Sequence, residues 1–274
     1  MEQQDPADFL RQLGEAGDGP HDIARAALML SALDHSGRPL EPYEKHLKDI
    51  ADAARTEAGH APNIEAGAQA LSALLVGRYG YDGDRLSYDD PQNADIMAVI
   101  DRRRGLPVAL GILYLHAARA SGFEAMVLNY PGHFLLSISM RGHEALLDPF
   151  NGGAALHRER LGAPPVMGAH GHEGVENSEF VSDIEVLLRL TNNLKLRALN
   201  NGERVRALEI SKRMVLIAPQ RPELWMDLAR LNEASGALGA AQRAYEACLS
   251  LVPGGQSLHN EAALGLHALK RRLN

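Results

Sequence analysis

Two side chains with acid–base chemistry fall within one stretch of the chain, Gly105–Phe150. His133 follows a Pro-Gly turn signal and Asp148 precedes a proline, so we expect them on neighbouring strands. The segment Gly105-Leu106-Pro107 is typical of a helix start, because proline at the first helical position loses no hydrogen bond. A histidine that moves a proton, a carboxylate that orients it and a helix N-terminus are the surroundings of cysteine-type acyl transfer. These residue types predict an acyl-transfer site, provided that a nucleophile lies beside them.

The elements that must position these residues follow from the hydrophobic pattern. Residues Pro107–Ala120 are apolar on nearly every side, which predicts a buried helix. The Ser121-Gly122 break ends it, and an antiparallel meander packed on the helix is expected next, which makes an α+β domain. Its predicted strands are Glu124–Tyr130, His133–Met140 and Glu144–Asp148, the last two joined at Arg141-Gly142.

Four more helices are predicted before this core, because apolar residues recur there at helical spacing. They span His21–Asp34, Pro42–Ala58, Ile64–Arg78 and Ala94–Arg104. Residues 79–93 predict an irregular but ordered loop anchored by Tyr79, Tyr81 and Tyr88. The run Arg102-Arg103-Arg104 is interpreted as a solvated last helical turn that complements the helix dipole.

Two segments lack periodicity. Residues 1–20 are polar and broken by glycines, which predicts a flexible segment around a short helix at Asp8–Leu13. Residues 151–177 are rich in glycine and proline and predict a long loop with a short helix near Arg158–Leu161, acting as a tether or as a lid over His133. His170 and His172 in this loop have the spacing of a metal pair, but ordinary loop histidines are preferred. Neither a metal nor a cofactor is predicted.

The last part of the chain, about Phe180–Leu273, is predicted to be all helix. Like residues recur there at an offset of 34: Leu194 and Leu228, Ala207 and Ala241, Pro219 and Pro253. One repeat matches the tetratricopeptide order of large, large, small, aromatic, small and helix-ending proline. The matching residues are Trp225, Leu228, Ala241, Tyr245, Cys248 and Pro253. The predicted organisation is a flexible segment 1–20, an α+β domain 21–177 and a repeat array 178–274.

Composition limits the classes of protein that remain. The 274 residues carry a net charge of −7 without a long basic stripe, which argues against a nucleic-acid surface. Cys248 is the single cysteine, so neither an intramolecular disulfide nor a cysteine metal cage is possible, and a reducing cytoplasm fits. The acidic N-terminus does not resemble a signal peptide, and no apolar run approaches the ~20 residues of a membrane span. We therefore expect a cytoplasmic protein that binds neither nucleic acid nor membrane.

Short motifs at fixed spacing carry a family resemblance. They are Gly105-x-Pro107, Arg119-Ala-Ser-Gly122, Gly132-His133-Phe134 and Asp148-Pro149. Together they resemble the transglutaminase-like domain of the papain-type cysteine superfamily, where Gly-x-Cys opens a helix, Arg-x-x-Gly closes it, and His and Asp follow on strands. The longer sequences PGHF (131–134) and DPFNGG (148–153) are similar to the bacterial SirB-type branch, in which such a domain is joined to tetratricopeptide repeats.

The resemblance implies a role for each position of the site. His133 matches the proton-transferring histidine and Asp148 the orienting carboxylate, but the cysteine position falls on Pro107, which has no nucleophile. Cys248 occupies a packing position in the repeats and is not a substitute. The triad is therefore interpreted as vestigial, and no catalytic residue is assigned. Further pocket candidates are Asn93, Gly105, His116, Gly132 and Phe134.

Three functions remain open. The favoured one is a non-catalytic transglutaminase-like protein that binds an unidentified protein or peptide through its repeats, as an interaction or regulatory module. The alternative is a hydrolase or transferase acting on an amide or peptide through His133 and Asp148 without a thiol. The third is a rigid scaffold made of both parts. Within the site, His133 and Asp148 are either a buried pair or part of a pocket for an anionic or carbonyl group.

Overall fold

The computed structural model describes residues 5–128, 130, 134–156 and 180–273. The chain divides into two compact units, and the division falls within one long helix, α7 (Asp183–Asn200). The first, which we call the sheet unit, is Asp18–Leu187. The second, which we call the repeat unit, combines Met1–Gly17 with Leu188–Asn274. The predicted α+β part followed by an all-helical array is confirmed.

The helices of the sheet unit agree closely with the pattern-based prediction. Side chains of Asp22, Asn63 and Asp95 accept hydrogen bonds from the first-turn N–H groups of three of them, which fixes where these helices begin. The helices are α2 (Ile23–Ala32), α3 (Glu41–Glu57), α4 (Ile64–Ser72), α5 (Ile96–Arg102) and α6 (Pro107–Ala120). Helix α4 continues directly as a π-helical segment, Ala73–Arg78.

Helix α6 is the core of this unit, as its all-round apolar sequence predicted. Its residues from Val108 to Leu115 are all buried. Gly111 lets the ring of Phe134 approach the helix backbone, because a Cβ atom there would lie 2.0 Å from a ring carbon. The helix is therefore enclosed by the sheet unit.

Two short strands make a parallel pair in front of α6. They are β1 (Asp82–Gly83) and β2 (Arg104–Gly105), with Gly83 opposite Gly105. Strand β1 lies in the loop that was expected to be ordered, whereas β2 begins at Arg104, the last residue of the helix predicted over Ala94–Arg104. Tyr81 is buried and anchors the loop as predicted, whereas Tyr88 is exposed.

The main sheet has five antiparallel strands in the order β6-β5-β4-β3-β7. They are β3 (Glu124–Leu128), β4 (Leu135–Met140), β5 (His143–Asp148), β6 (Ala154–Leu156) and β7 (Phe180–Val181). Arg141 and Gly142 both have positive φ, which suits the two-residue hairpin between β4 and β5. The predicted meander forms the centre of the sheet. Strands β6 and β7 were not predicted, because two or three residues are too few to show the alternation of a strand.

The interpretation of the arginine run as one solvated helical turn is wrong. Helix α5 ends at Arg102, Arg103 adopts a left-handed backbone with φ of 59°, and Arg104 belongs to β2. The guanidinium of Arg102 pairs with the buried carboxylate of Asp84 at 3.0 Å. Each arginine thus has a different environment, because the chain turns sharply between them.

The repeat unit consists of antiparallel helices packed in sequence. They are α8 (Arg204–Ile217), α9 (Pro222–Ala234), α10 (Leu238–Leu251) and α11 (Ser257–Leu273), together with the second part of α7. The repeated small residues Ala207 and Ala241 are fully buried, as close helix packing requires. Trp225 donates from Nε1 to the backbone oxygen of Pro219 at 2.8 Å, which ties α9 to the preceding turn.

The N-terminal segment differs from the expected flexible stretch. Helix α1 (Pro6–Ala16) extends the predicted short helix at both ends, and the Asp5 side chain caps it. Leu10 and Leu13 are buried on one face, and a Cβ on Gly14 would lie 2.1 Å from the backbone oxygen of Leu216 in α8. Burial of this apolar face joins α1 to the repeat unit. The predicted helix at Arg158–Leu161 and the pair His170 and His172 lie outside the described residues.

Candidate functional site

The site is organised by the N-terminus of α6. Leu106 is the residue before the helix, and its N–H donates to the backbone oxygen of Asn93 at 2.8 Å. Pro107 is the first helical residue and is half-buried. The next N–H groups, of Val108 and Ala109, have no acceptor within the helix, and the helix dipole makes this end favourable for negative charge.

Asp148 ends β5 and begins the 3₁₀ turn Pro149–Asn151, which packs on α6. Its buried carboxylate accepts hydrogen bonds from the backbone N–H of Phe150 at 3.1 Å and of Asn151 at 3.2 Å. The side-chain Nδ2 of Asn151 donates to the second oxygen at 2.7 Å. The described hydrogen bonds of Asp148 therefore cap its own turn. His133 and Gly132 lie outside the described residues, so the His133–Asp148 pair stays a prediction.

Close packing explains why a glycine occurs at position 153, after Asp148. Gly153 has a φ of 67°, and a Cβ there would lie 2.4 Å from the hydroxyl oxygens of both Ser72 and Tyr114. Ser72 donates to the backbone oxygen of Gly153 at 2.8 Å. Burial raises the pKa of Tyr114 well above its usual value, so this phenol is neutral. The DPFNGG motif thus brings the chain close to α6 and α4.

Asn93, a pocket candidate, is fully buried in front of α6. Its Nδ2 donates to the backbone oxygen of Ser87 at 2.6 Å, and its Oδ1 accepts from Arg102 at 3.1 Å. Hydrogen bonds from the Ser87 N–H, then from the Asn93 side chain and the Leu86 N–H, together with the charge of Arg102, hold the pKa of Asp84 below its usual value. The amide of Asn93 is therefore engaged by the protein itself. It does not cap a helix, because Asp95 caps α5.

The remaining candidates lie in different parts of the sheet unit. Gly105 is buried beside Asn93, where a Cβ would lie 3.1 Å from the methyl carbons of Val99. Phe134 covers Gly111. His116 lies about 13 Å further along the α6 axis than Pro107, and its Nε2 is 2.9 Å from the backbone oxygen of Leu47. The structure brings Asn93 and Gly105 to the start of α6 and places His116 elsewhere.

Comparison with known proteins identifies the family of each part of the chain. The family model described as the transglutaminase-like superfamily matches residues 41–192. The chain belongs to this superfamily. A tetratricopeptide repeat model matches residues 194–274, so the two-part organisation of this transglutaminase-like protein is shown at the level of family.

Similarity to several bacterial proteins confirms the SirB-type resemblance. A UPF0162 protein from Xylella fastidiosa (strain Temecula1) is 30% identical over 200 residues, which cover 70% of this chain and 69% of that protein. Another, from Vibrio cholerae, is 33% identical over 132 residues, covering 48% and 49%. Mouse F-box only protein 21 is 34% identical over 91 residues, covering 32% of this chain and 14% of that protein.

The arginine of the superfamily motif that closes α6 has a structural partner that the sequence did not indicate. Arg119 binds the buried carboxylate of Asp183 with both terminal nitrogens, at 2.6 and 2.8 Å. It also donates to the backbone oxygen of Ala125 at 3.1 Å, and Asp183 accepts from the N–H of His21 at 2.8 Å. Arg119 therefore fastens α6, β3 and the start of α7 together. Residues so far apart in sequence offer no local signal of this contact.

The position that should carry the nucleophile of a transglutaminase-like site holds a residue without one. The position that the resemblance assigns to the nucleophilic cysteine is Pro107, at the helix N-terminus that would lower the pKa of a thiol. No group of three or more His, Cys, Asp or Glu residues that could hold a metal ion occurs in the described part of the chain. In those same residues, no helix is both long and apolar enough to cross a membrane.

Proposed function

We propose that this chain is a non-catalytic transglutaminase-like protein that binds a protein partner through its tetratricopeptide repeats. The observation that carries the proposal is a row of three exposed side chains at 34-residue intervals: Leu196, Arg230 and Leu264. They occupy the same repeat position on α7, α9 and α11, and equivalent positions in a repeat array face the same way. Leu196 is 49% exposed and Leu264 is 72% exposed. We call these residues the repeat row.

Ion pairs beside the repeat row connect its helices. Lys195 Nζ lies 2.9 Å from the carboxylate of Asp227, which joins α7 to α9. Arg230 lies 2.7 Å from the carboxylate of Glu261, which joins α9 to α11. These pairs are contacts within the array, so the two leucines are the members of the row left for an apolar partner. A partner segment with apolar side chains spaced to reach both leucines fits this surface.

The absence of a suitable thiol supports the non-catalytic half of the proposal. Cys248 is fully buried in α10 of the repeat unit, and burial raises the pKa of its thiol. A reactive cysteine needs the opposite environment, with exposure and a lowered pKa. The alternative reaction through His133 and Asp148 has less support, because the described hydrogen bonds of Asp148 serve its own turn.

The test uses the full-length protein with both leucines of the row changed, Leu196→Glu and Leu264→Glu. Both side chains are exposed, so the charges should leave the fold intact while opposing an apolar partner. The matched control is Leu86→Glu, a 99% exposed leucine of the sheet unit. Partners are captured from lysate, identified by mass spectrometry and then measured as purified proteins.

We expect the wild type and the control to bind the same partner, and the double variant to bind it at least about tenfold more weakly. Circular dichroism of all three proteins checks that the helices are retained. Equal binding of the partner by the double variant would show that the repeat row is not the docking surface.

A further inference from the structure

A cleft in the sheet unit is lined by none of the candidate site residues and has no role in the proposed function. Its volume is about 480 Å³. The polar part of its wall contains Arg38, His46, Asp101 and Arg103, and the apolar part contains Pro42 and Ile100.

The guanidinium of Arg103 is held in place by uncharged groups. Its Nη1 donates to His46 Nε2 at 2.6 Å and to the hydroxyl of Tyr81. The guanidinium carbon lies 4.8 Å from the centre of the Tyr81 ring. The left-handed backbone of Arg103, with a φ of 59°, is costly for a residue other than glycine, so the surroundings must maintain it. The fold therefore fixes this arginine instead of leaving it mobile.

His46 does not add or remove charge in the cleft at neutral pH. Because an arginine can only donate, Nε2 of His46 accepts from Arg103, which places the ring proton on Nδ1. The Tyr81 hydroxyl lies 2.7 Å from the same nitrogen. Burial, and then the nearby charge of Arg103, lower the pKa of His46 to about 4. The arginine thus keeps its full positive charge beside a neutral imidazole.

The carboxylate of the cleft is already engaged. Asp101 lies 2.7 Å from Arg38 and accepts from the hydroxyl of Tyr43 at 3.0 Å. Within the described part of the chain, Arg103 forms no ion pair, since no carboxylate oxygen lies within 4.0 Å of it. On the exposed side of α3, Lys45 and Asp49 pair with each other at 2.8 Å. The cleft therefore retains one uncompensated positive charge.

We propose that this cleft binds a small carboxylate whose apolar body rests on Pro42 and Ile100. The hydrogen bonds of Arg103 in the described residues use Nη1, which leaves Nε and Nη2 for the two oxygens of a carboxylate. Guanidinium and carboxylate match in such a two-point contact, and the fixed arginine loses little side-chain entropy on binding. Pro42 and Ile100 supply the apolar contact that a simple inorganic anion would not use.

The probe is benzoate, titrated into the full-length protein by isothermal calorimetry. We expect saturable binding at one site, weakened about tenfold or more by Arg103→Gln. Arg104→Gln is the matched control, because Arg104 is exposed and donates to backbone oxygens of Gly80 and Arg103. Its affinity for benzoate should equal that of the wild type.

A second variant guards against loss of fold in Arg103→Gln. Pro42 is exposed at the first turn of α3, so Pro42→Glu should fold and should repel a carboxylate at the rim of the cleft. Benzamide tests the need for charge, and inorganic phosphate tests the need for an apolar body; both should bind more weakly than benzoate. Absence of benzoate binding, equal binding of benzamide, tighter binding of phosphate, or unchanged affinity in Pro42→Glu would each overturn the proposal.

Discussion

At the scale of single residues, arginines of similar sequence context have separate roles in this protein. Arg102 neutralises the buried Asp84, and Arg119 holds the buried Asp183. Arg103 is held by a neutral histidine and a tyrosine. The difference lies in the partners. A carboxylate neutralises the charge of an arginine, whereas a neutral partner leaves that charge available to bind an anion.

His46 should make the stability of the sheet unit depend on pH. Its pKa is about 4 in the folded protein and about 6.5 when unfolded. Between these values the unfolded chain binds the extra proton, so the free energy of unfolding should fall as the pH drops from 6.5 to 4. The ring is only half-buried, so we expect a contribution on the order of 1 kcal/mol after allowing for solvent screening.

The measurement is chemical denaturation of the wild type and His46→Gln across pH 4 to 7, with His60→Gln as the control at an exposed histidine. Replacing His46 should remove part of the loss of stability at acid pH, and replacing His60 should not. Parallel pH profiles for the wild type and His46→Gln would contradict the proposed neutral histidine.

At the scale of elements, helix α6 shows why one glycine can matter more than helix propensity. Alanine in place of an exposed helical glycine stabilises by up to about 1 kcal/mol. At Gly111 the new methyl group would meet the Phe134 ring, which must move within a packed core. Close packing between α6 and the residue before β4 therefore outweighs the propensity of the helix.

Gly111→Ala should accordingly destabilise the protein by about 1–3 kcal/mol, measured as a lower midpoint of thermal or chemical unfolding by circular dichroism. Gly239→Ala is the control, because a Cβ at that position of α10 would meet only the end of the Arg243 side chain, at an ordinary contact distance of 3.9 Å. Phe134→Leu combined with Gly111→Ala should recover part of the loss. A stability equal to that of the wild type for Gly111→Ala would mean that the ring moves away without cost.

At the scale of the whole molecule, the repeat unit is built from two segments that are not continuous in sequence. Helix α1 precedes the sheet unit in the chain but belongs to the repeat unit, where its buried face meets α8. The repeats alone, as defined by residues 194–274, therefore omit a part of their own apolar packing. A helix that covers the end of an array protects apolar surface that the neighbouring repeat would otherwise expose.

Leu10→Ala should test this by lowering the stability of the repeat unit by about 2–5 kcal/mol, because Leu10 is fully buried. Trp225, the single tryptophan, lies in this unit, so its fluorescence reports the unfolding of the repeats. The control is Glu15→Ala on the exposed face of α1. An unchanged tryptophan transition in Leu10→Ala would show that α1 does not stabilise the repeats.

The predictable parts of the fold were those with strong local signals. Pro107 and the Ser121-Gly122 break set the limits of α6, and its apolar residues predicted that the helix is buried. The hairpin at Arg141-Gly142 followed from a short turn between alternating strands. In contrast, β7 has two residues, and it became a strand only because the edge of β3 offered it hydrogen bonds.

Motif spacing selected the positions of the candidate site, whose roles stay predictions. It selected Pro107, Asp148, Asn93 and Gly105, and the structure places Gly105 beside Asn93. It did not find Asp183 as the partner of Arg119, since nothing local connects them. It also placed His116 among the pocket candidates, although His116 lies about 13 Å along the α6 axis from the start of the helix.

The sequence by itself determined the superfamily and the helical repeats, and it puts a proline where the resemblance expects the nucleophile, because each of these depends on residue types at fixed spacing. Only the tertiary structure decided which charged groups are paired, how α1 is used and where an arginine keeps its charge. The physical reason is that pairing and burial depend on residues distant in the chain. The residue types of Gly105-Leu106-Pro107 are enough to predict the start of a helix. The contacts of the nearby Arg103 form only when α3 and the loop that contains Tyr81 pack against it.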